Sequence, residues 1–426
     1  MSLVSHSIHT FIYRIVAVGV GFLITLITAR YLDVAGRGTF AMLTVASGIL
    51  LTLFGGISPA ITYQIANRNE KPKKVFYHAL LITIGMSAIV VIIILTSYPW
   101  IKSTSWWFVI YLLFAAPFML VNSCLSGLLL GLNSIKLLNY SSLSSSVFTL
   151  LLWGILLSTS FFTMSSSLSL WAVAQLLAFL FTIYWVRSYI VPVSISLDPE
   201  LLKQMLFFGS KIGGVNLISA LNYRIDMLVV DFFLGMEKVG IYSVAVIVAE
   251  FLWFISSSIS TAAYTRIGQL PNEEAIALTT KLIRFSSFLV FLASLVLAAA
   301  GYIIIPVFFG EKYYEAILPF EVLIPGVAFF SIASILSAYF TNQMGKPHLS
   351  LYIAGSSFLI NLVISLFLIP WLGMVGGALA TTISYSVSGI FILIMFLRFS
   401  RIKLPDLLIK PADILILLNL KTILTK

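Results

Sequence analysis

Long apolar segments recur from one end of the chain to the other, and the polar breaks between them are short. Each segment is about 20 residues or longer, the length that an α-helix needs to cross a hydrocarbon core of roughly 30 Å. The segments are continuous, whereas strands of a membrane barrel would alternate apolar and polar residues. Twelve spans are therefore predicted, at 9–31, 38–65, 76–97, 106–131, 140–162, 168–186, 206–234, 239–264, 282–309, 317–342, 347–370 and 373–397.

The composition supports the same interpretation. Hydrophobic residues make up 60% of the chain and charged residues 9%, against about 45–50% and 25% in soluble domains. A soluble fold could not cover its surface with so few charges, so an all-α polytopic membrane protein is predicted. The first apolar segment is too long for a cleavable signal peptide and continues into a spanning pattern.

The net charge of +10 does not indicate a nucleic-acid partner. Most of the 25 Lys and Arg residues lie in the connections after even-numbered spans and in the C-terminal tail. Because cytoplasmic loops carry the excess of basic residues, both termini are predicted to be cytoplasmic. The single cysteine, Cys124, lies in an apolar segment and gives neither a disulfide nor a metal site.

A more polar stretch separates the first six spans from the last six. It predicts four regions: an N-terminal six-helix bundle at 1–190, a cytoplasmic linker at 191–205, a C-terminal six-helix bundle at 206–400 and a cytoplasmic tail at 401–426. Within the tail, residues 412–420 are apolar but too short to span, so this segment is expected to lie at the membrane surface.

The two halves resemble each other. A constant shift of 202 residues aligns three pairs between the first two spans of each half: Leu32 with Leu234, Gly38 with Gly240 and Phe40 with Tyr242. A second match relates 132–136 to 342–346 at a slightly larger shift. Two sets of six spans would be parallel repeats, related by a pseudo-twofold axis along the membrane normal, and transporters of this kind bind substrate between the halves. The alternative is that any two sets of apolar helices look alike.

Four segments resemble a known family. They are 29–40, 225–235 with 239–243, 342–346, and 368–381 with its Ile-Pro-Trp-Leu-Gly-Met-Val-Gly-Gly-Ala pattern. The chain resembles the polysaccharide transporters of the multidrug/oligosaccharidyl-lipid/polysaccharide (MOP) superfamily, in particular Wzx-type O-antigen flippases. It departs from the family pattern at Asp33, where Gly is usual.

This resemblance implies a function and a location. A member of the family would flip an undecaprenyl-pyrophosphate-linked oligosaccharide from the cytoplasmic to the periplasmic leaflet of the bacterial inner membrane. The expected partners are the lipid-linked oligosaccharide, membrane lipid and other polysaccharide assembly proteins, with no nucleic acid. The protein is expected to be a monomer, to use no cofactor and not to be an enzyme.

Ionisable residues within the spans are the candidates for a substrate path. Arg14 could meet phosphate from the first span, or it could snorkel to the cytoplasmic interface. Arg224 and Asp226 lie in the seventh span, on faces about 200° apart, with Lys211 lower on the face of Asp226. All four are predicted to line a substrate cavity, or else Arg224 forms a structural ion pair.

Glu250 in the eighth span is the expected partner of Arg224. It could neutralise Arg224, or it could bind a proton or sodium ion that couples transport to a gradient. The 4 His residues have no metal-site spacing, and no Walker loop is present. The alternatives to a flippase are a multidrug or metabolite exporter on the same fold and, less favoured, a membrane polysaccharide polymerase, which would need a large periplasmic loop.

Overall fold

A computed structural model describes residues 3–97, 106–159, 161–191, 197–410 and 413. Every regular element in these ranges is a helix. Helices satisfy their own backbone hydrogen bonds, and a chain in hydrocarbon has no water to satisfy them otherwise. The α-helices are α1 Leu3–Tyr31, α2 Val34–Phe54, α3 Ile57–Ala66, α4 Pro72–Ser97, α5 Trp106–Gly131, α6 Ile135–Leu157, α7 Met164–Ile190, α8 Pro199–Gln269, α9 Asn272–Ile304, α10 Ile317–Ala338, α11 Pro347–Leu372 and α12 Met374–Ser400.

Short non-α segments extend two of these helices. The five-residue π-helices Ile305–Phe309 and Tyr339–Gln343 follow α9 and α10, and the 3-10 helix Glu311–Ala316 leads into α10. A further 3-10 turn, Leu404–Leu407, follows α12.

Ten helical segments in the described ranges are long and apolar enough to cross a membrane. One is the continuous run Val34–Ala66, which joins α2 and α3. Another is α8, whose 71 residues would extend roughly 105 Å if straight. It is interrupted at Gly235, where φ is 81° and ψ is 175°, a conformation open essentially only to glycine. Because α8 provides two spans and α1 contributes the shorter apolar segment Ile15–Tyr31, the helices accommodate the twelve predicted spans, and the all-α polytopic fold is confirmed.

The chain forms two compact units. Unit 1 contains Met1–Leu221 and Gly235–Gly240, and unit 2 contains Asn222–Leu234 and Ile241–Lys426. The linker predicted at 191–205 stays a prediction, and residues 192–196 within it lie outside the described residues. The surface segment predicted at 412–420 also lies outside them, apart from Asp413.

Unit 1 has an apolar core between α3, α4, α5 and α7, which the first turns of α8 complete. Its members are almost fully buried aliphatic side chains, among them Ile61, Leu125, Val186 and, from α8, Met205. In soluble proteins, burial of such side chains from water stabilises the fold by about 25 cal/mol per Å². Within lipid, which is as apolar as these side chains, helix association depends on close packing instead. The first turns of α8 therefore belong structurally to the N-terminal helices.

The start of α8 is also fixed by polar contacts. The Asp198 carboxylate accepts hydrogen bonds from the backbone N–H groups of Glu200 and Leu201, both at 3.1 Å, and so caps the helix. The Lys74 ammonium lies 2.7 Å from the same carboxylate. The backbone N–H of Asp198 donates to Nε2 of the buried His78 at 2.8 Å. The residue that begins α8 is thus attached to α4 through two side chains.

Unit 2 is built around α10, which packs against α9 and α12, while α11 packs against α12. The approach of α10 to α12 depends on Gly326, because a Cβ there would overlap the Cα of Thr382. A cluster of buried residues, including Ile283, Phe340 and Phe396, fills one end of the unit. The chain after α12 joins this cluster through Leu407, which is 7% exposed.

The tail is attached to α9 by charge as well. The Asp413 carboxylate lies 3.4 Å from Nε of Arg284, and both side chains are mostly buried. The same carboxylate accepts a hydrogen bond from the backbone N–H of Lys410 at 3.1 Å. The beginning of the tail is therefore part of the folded unit.

The Lys74–Asp198 contact predicts a pH-dependent stability. The hydrogen bond from Lys74 holds the pKa of the Asp198 carboxyl below its ordinary value of 3.8. A carboxyl with a lowered pKa stabilises the folded state above its unfolded pKa, and this contribution is lost as pH falls through the folded pKa. Asp198→Asn keeps a helix-capping side chain but removes the charge. We expect a lower unfolding temperature than the native protein at pH 7, and a difference that becomes smaller as the pH falls below 3.8.

Thermal unfolding in detergent micelles at several pH values would measure this effect. Asp406→Asn is the matched control, because its pair with Lys410 is half-exposed at 3.6 Å and such pairs contribute little. A difference between native protein and Asp198→Asn that stays constant from pH 7 to pH 3 would contradict the electrostatic explanation.

Candidate functional site

Charged and polar side chains meet inside unit 2, far from the ends of the spanning helices that carry them. They come from the two parts of α8 on either side of Gly235, and from α11 and α12. Ionisable side chains at such positions are costly and therefore rare, and they commonly mark ion or substrate paths. This set, called the unit 2 polar cluster below, is the candidate site; its members are Arg224, Asp226, Tyr242, Glu250, Asn361, Ser365 and Thr381.

Arg224 and Glu250 form a bidentate ion pair. Nη1 of Arg224 donates to Oε1 of Glu250 at 2.7 Å, and Nη2 donates to Oε2 at 3.2 Å. The planar guanidinium matches the carboxylate in this geometry, so the pair is stronger than a single contact. The pairing predicted from the sequence is present. It cancels the charge of both residues at a position where an isolated charge would be expensive.

Asp226 lies on the opposite face of the same helix and has separate partners. Its Oδ2 accepts hydrogen bonds from the Tyr242 hydroxyl at 2.7 Å and from Oγ1 of Thr381 at 2.9 Å. Its Oδ1 accepts one from the backbone N–H of Met227 at 2.8 Å. The side chain is only 3% exposed. Both carboxyl oxygens of Asp226 thus accept hydrogen bonds from within the protein.

The network around Asp226 continues into α11. Nδ2 of Asn361 donates to Oγ1 of Thr381 at 3.2 Å, and Oγ of Ser365 donates to Oδ1 of Asn361 at 2.9 Å. Asn361 and Ser365 are fully buried. The hydroxyl of Thr381 donates its hydrogen to Asp226, so its oxygen accepts the hydrogen bond from the Asn361 amide. Ser365, Asn361 and Thr381 therefore donate in sequence toward the Asp226 carboxylate. Polar networks that are satisfied in this way fix the relative positions of the helices that carry them.

A small cavity adjoins the cluster. It has an empty volume of about 230 Å³, including the space at its open side. The residues that line it are Tyr223, Asp226, Val246, Ala249, Glu250, Trp253, Leu323, Val327, Thr381 and Tyr385. Its charged lining residues are two carboxylates, since Arg224 is not among them.

One wall of the cavity belongs to an aromatic group. The rings of Phe330 and Tyr385 are stacked with centroids 4.5 Å apart, and the rings of Tyr223 and Trp253 meet edge to face with centroids 5.1 Å apart. The indole N–H of Trp253 is buried and has no hydrogen-bond partner among the described residues. The cavity therefore offers two carboxylates, the hydroxyls of Tyr223, Thr381 and Tyr385, and one unused donor.

This chemistry favours a small cation or water over an anion. Carboxylate and hydroxyl oxygens are the ligands that hard cations prefer. The part of the chain that is described contains no group of three or more His, Cys, Asp or Glu residues of the kind that holds a transition metal. A proton or a weakly coordinated monovalent ion is the occupant that fits the oxygen set.

The other predicted site residues lie elsewhere. Lys211 is in the part of α8 that belongs to unit 1, is exposed, and has its ammonium 3.9 Å from the ring centroid of Phe207. Arg14 lies in α1, and its side chain is outside the described part of the structure. The roles predicted for Arg14, Lys211, Arg224, Asp226 and Glu250 remain predictions.

Several residues at the site were not singled out from the sequence. Tyr242 and Thr381 bind the carboxylate of Asp226, and Trp253 lines the cavity. In the repeat alignment Tyr242 corresponds to Phe40. The additional hydroxyl group of Tyr242 could have indicated a polar role for this position. Thr381 ends the glycine-rich family segment. Nothing in the sequence pattern distinguished Trp253 from an ordinary apolar residue.

Comparison with known sequences identifies relatives. The family model described as "Polysaccharide biosynthesis protein" matches residues 3–271. A provisionally named O-antigen transporter from Shigella flexneri is 22% identical over 241 residues, which are 55% of this chain and 57% of that protein. An uncharacterized membrane protein from Methanocaldococcus jannaschii is 27% identical over 175 residues, 39% of this chain and 34% of that protein. The matches thus span about half and about a third of the two relatives.

Comparison with solved structures identifies the fold. An inward-facing multidrug resistance transporter of the MATE family, within the MOP superfamily, superposes with a TM-score of 0.73 at 16% identity, covering 88% of this chain and 93% of that one. The lipid II flippase MurJ in an inward closed conformation gives 0.73 at 17% identity, covering 93% and 90%. The predicted resemblance is confirmed: the chain has the fold of MOP transporters and belongs to the polysaccharide biosynthesis protein family.

Proposed function

We propose that the protein flips an undecaprenyl-pyrophosphate-linked oligosaccharide, such as an O-antigen repeat unit, from the cytoplasmic to the periplasmic leaflet of the bacterial inner membrane. Transport proceeds by alternating access and is coupled to an ion gradient. The observation that carries the proposal is the charged cluster around Glu250, inside the spanning helices of a chain from a polysaccharide biosynthesis family.

The substrate dictates what such a protein must provide. Its headgroup contains two phosphates and several sugars, and the transfer of such groups through hydrocarbon is prohibitive. The empty volume of about 230 Å³ beside the cluster includes space at its open side, so its enclosed part is small. It does not accommodate an oligosaccharide in this conformation. Its enclosed part is of the size that suits an ion or a water molecule.

Glu250 connects the ion to the substrate. A proton or cation that reaches this carboxylate through the cavity competes with Arg224 for the same oxygens. Once the ion is bound, the guanidinium loses its counter-charge and becomes available to an anionic group. The two terminal nitrogens of Arg224 bind the carboxylate of Glu250 in this structure. In the ion-bound state the same two nitrogens bind a phosphate, because carboxylate and phosphate both accept this paired geometry. Ion binding and substrate binding are coupled through one side chain.

Two other basic side chains are proposed to contact the pyrophosphate before Arg224 does. Lys211 is exposed and has no ion pair among the described residues, and its position in α8 is closer than that of Arg224 to the predicted cytoplasmic side. Arg14 is predicted near the same side in α1. We assign these two residues the first contact with phosphate and Arg224 a later one. The multi-pass protein is proposed to act as a monomer with cytoplasmic termini, alongside other polysaccharide assembly proteins.

A multidrug or metabolite exporter is the second candidate. One observation favours it: the charged residues that line the cavity are acidic, which suits a cationic substrate. The inward-facing relative is described as a multidrug resistance transporter. A membrane polymerase is disfavoured, because the connections between the described helices, such as residues 32–33 between α1 and α2, are short.

Reconstitution into liposomes distinguishes the two transport candidates. We expect the protein to carry a fluorescent undecaprenyl-pyrophosphate oligosaccharide to the other leaflet at least ten times faster than empty liposomes, and not to export a cationic dye. Reductant quenching of outer-leaflet fluorescence reports the first reaction, and dye efflux reports the second. Dye efflux without lipid transfer would replace the flippase proposal with the exporter.

The double variant Arg224→Met/Glu250→Met tests whether the ion pair is only structural. Removal of one partner leaves a partly buried charge and is destabilising, whereas replacement of both by apolar residues is often close to neutral. We expect Arg224→Ala to lose transport, and the double variant to insert and unfold like the native protein yet transport at under a tenth of its rate. Native transport by the double variant would make the pair structural.

Glu250→Gln tests ion coupling. The amide keeps the size of the side chain but does not bind a proton or pair with a cation. We expect transport by this variant to be indifferent to an imposed proton or sodium gradient, while the native protein is accelerated by one of them. Glu311→Gln, at an exposed carboxylate, is the control and should respond like the native protein. A full gradient response in Glu250→Gln would remove Glu250 from the coupling mechanism.

A further inference from the structure

The chain that follows α12 places a carboxylate against a largely buried arginine of α9. Arg284 lies in the fourth turn of α9, and Asp413 belongs to the tail. Their side chains are 14% and 8% exposed, and both residues are in unit 2. A charge in such a position needs a counter-charge, since an unpaired one is strongly unfavourable. In this structure the tail provides that counter-charge.

The pair uses only part of the binding capacity of the arginine. Nε of Arg284 lies 3.4 Å from Oδ2 of Asp413, and its N–H makes no hydrogen bond among the described residues. By comparison, Arg224 donates two hydrogen bonds to Glu250, at 2.7 and 3.2 Å. A guanidinium binds a carboxylate or a phosphate best through two parallel N–H groups. Asp413 is thus a loosely held partner, and Arg284 has the capacity to bind a better aligned anion.

A second donor lies on the same side of α9. Thr280 precedes Arg284 by one helical turn, so the two residues share a face of the helix. Thr280 is 6% exposed, and its hydroxyl has no hydrogen-bond partner in the part of the chain that is described. Buried hydroxyls are normally satisfied, so an unpartnered one requires an explanation. A free hydroxyl one turn from a loosely paired guanidinium is a combination of donors that suits a phosphate.

The charge around the pair also favours an anion. Asp406, the other carboxylate of the described tail, already pairs with Lys410 at 3.6 Å. The acidic residues of α9, Glu273 and Glu274, lie about three turns before Arg284. Exposed basic residues outnumber these carboxylates on α9, at the end of α12 and in the tail: Lys281, Arg398, Arg401, Lys403 and Lys410.

Arg284 lies at the depth of lipid headgroups. The predicted span that contains it begins at residue 282, and this end of the span is predicted to face the cytoplasm. An arginine less than one turn inside the hydrocarbon reaches the headgroup layer with its guanidinium. Anionic lipids of the cytoplasmic leaflet concentrate phosphate at this level and attract clustered Lys and Arg residues. A lipid phosphate is therefore the most abundant anion at this position.

We propose that Arg284 and Thr280 form a binding site for the phosphate of an anionic phospholipid, and that Asp413 of the tail occupies this site as a tethered competitor. A lipid phosphate that binds here displaces Asp413 and loosens the tail from α9. Because the competing carboxylate belongs to the same chain, it acts at a high effective concentration. The anionic lipid content of the leaflet thus determines how firmly the tail is attached.

Lipid retention by the purified full-length protein tests the site. Native mass spectrometry counts the phosphatidylglycerol or phosphatidylcholine molecules that remain bound. We expect Asp413→Asn to retain at least three times more phosphatidylglycerol than the native protein, because the competitor has lost its charge, and the same amount of phosphatidylcholine. Asp406→Asn is the matched control, since it removes a carboxylate of the same tail that pairs elsewhere. Equal retention of phosphatidylglycerol by the two variants would overturn the site.

The part played by Arg284 is tested in the Asp413→Asn background. We expect the further change Arg284→Gln to abolish the additional phosphatidylglycerol binding, and Arg284→Lys to restore part of it. Lys281→Gln removes an exposed cation of the same helix and should leave most of the additional binding in place. Loss of that binding with Lys281→Gln as complete as with Arg284→Gln would mean a general charge effect and would overturn the site.

A cysteine reporter follows the attachment of the tail. The 3-10 turn Leu404–Leu407 packs against α9, and Leu407 is 7% exposed. In nanodiscs, we expect a maleimide to label Leu407→Cys at least three times faster when phosphatidylglycerol is added to phosphatidylcholine. With Asp413→Asn as well, labelling should be fast in both lipids. A rate that is the same in both lipids with Asp413 present would overturn the displacement of the tail.

Inorganic phosphate distinguishes a lipid headgroup from a soluble anion. In phosphatidylcholine nanodiscs, inorganic phosphate should not accelerate labelling of Leu407→Cys relative to chloride at the same ionic strength. Acceleration by inorganic phosphate without acceleration by phosphatidylglycerol would overturn the assignment to a lipid.

Folding of the variants is checked at the native cysteine. Cys124 is 1% exposed in unit 1, so its labelling would reveal an unfolded protein. If Asp413→Asn labels there, Asp413→Ser takes its place, because a hydroxyl can still accept the hydrogen bond from the backbone N–H of Lys410. A pair that is only structural predicts a looser tail without additional phosphatidylglycerol binding, and this result would overturn the site. None of these measurements uses a transported substrate, so rejection of the flippase would leave the lipid site in place.

Discussion

Hydrocarbon offers no hydrogen-bond partners, and this single constraint determines most of the structure. It makes every regular element of the described ranges a helix. It also turns hydroxyl side chains back onto their own helices: Thr25 donates to the carbonyl of Gly21 at 3.0 Å, and Thr28 donates to that of Thr25 at 2.9 Å. These two hydroxyls of α1 are therefore used within their own helix. The Asp226 carboxylate is embedded in a network of three hydrogen-bond donors.

Helix association in the two units depends on two kinds of contact that suit lipid. One is close backbone approach at glycine, as at Gly326 against Thr382 and at Gly38 against Met236. The other is a polar network, as around Asp226. Each is stronger in lipid than apolar side-chain contact, which lipid tails can replace. They differ in what happens on separation: a glycine contact exposes nothing costly, whereas the Asp226 network would lose several hydrogen bonds.

The sequence predicted the fold class because continuous apolar segments of 20 residues have few interpretations. It predicted the Arg224–Glu250 pair because two opposite charges in neighbouring spans have few other partners. It did not predict that Tyr242 and Thr381 would hold Asp226, since a hydroxyl within a span bonds its own helix as readily as a neighbour. It also could not show that the first turns of α8 pack with α3, α4, α5 and α7. Leu201 and Met205 lie within the linker predicted at 191–205, and only three-dimensional packing shows that their side chains are buried against these helices.

The Arg224–Glu250 pair has a consequence for biosynthesis. Its two residues are 26 positions apart, on the two spans of α8 that meet at Gly235. An arginine alone at the centre of a span costs about 2.5–3.5 kcal/mol on insertion scales, and a glutamate is also unfavourable. Because the bend at Gly235 makes the two spans a hairpin, they can leave the translocon together with their charges already paired. The Arg224–Glu250 ion pair that orders the site thus allows the two spans of α8 to be inserted into lipid together, with these two charges already neutralised.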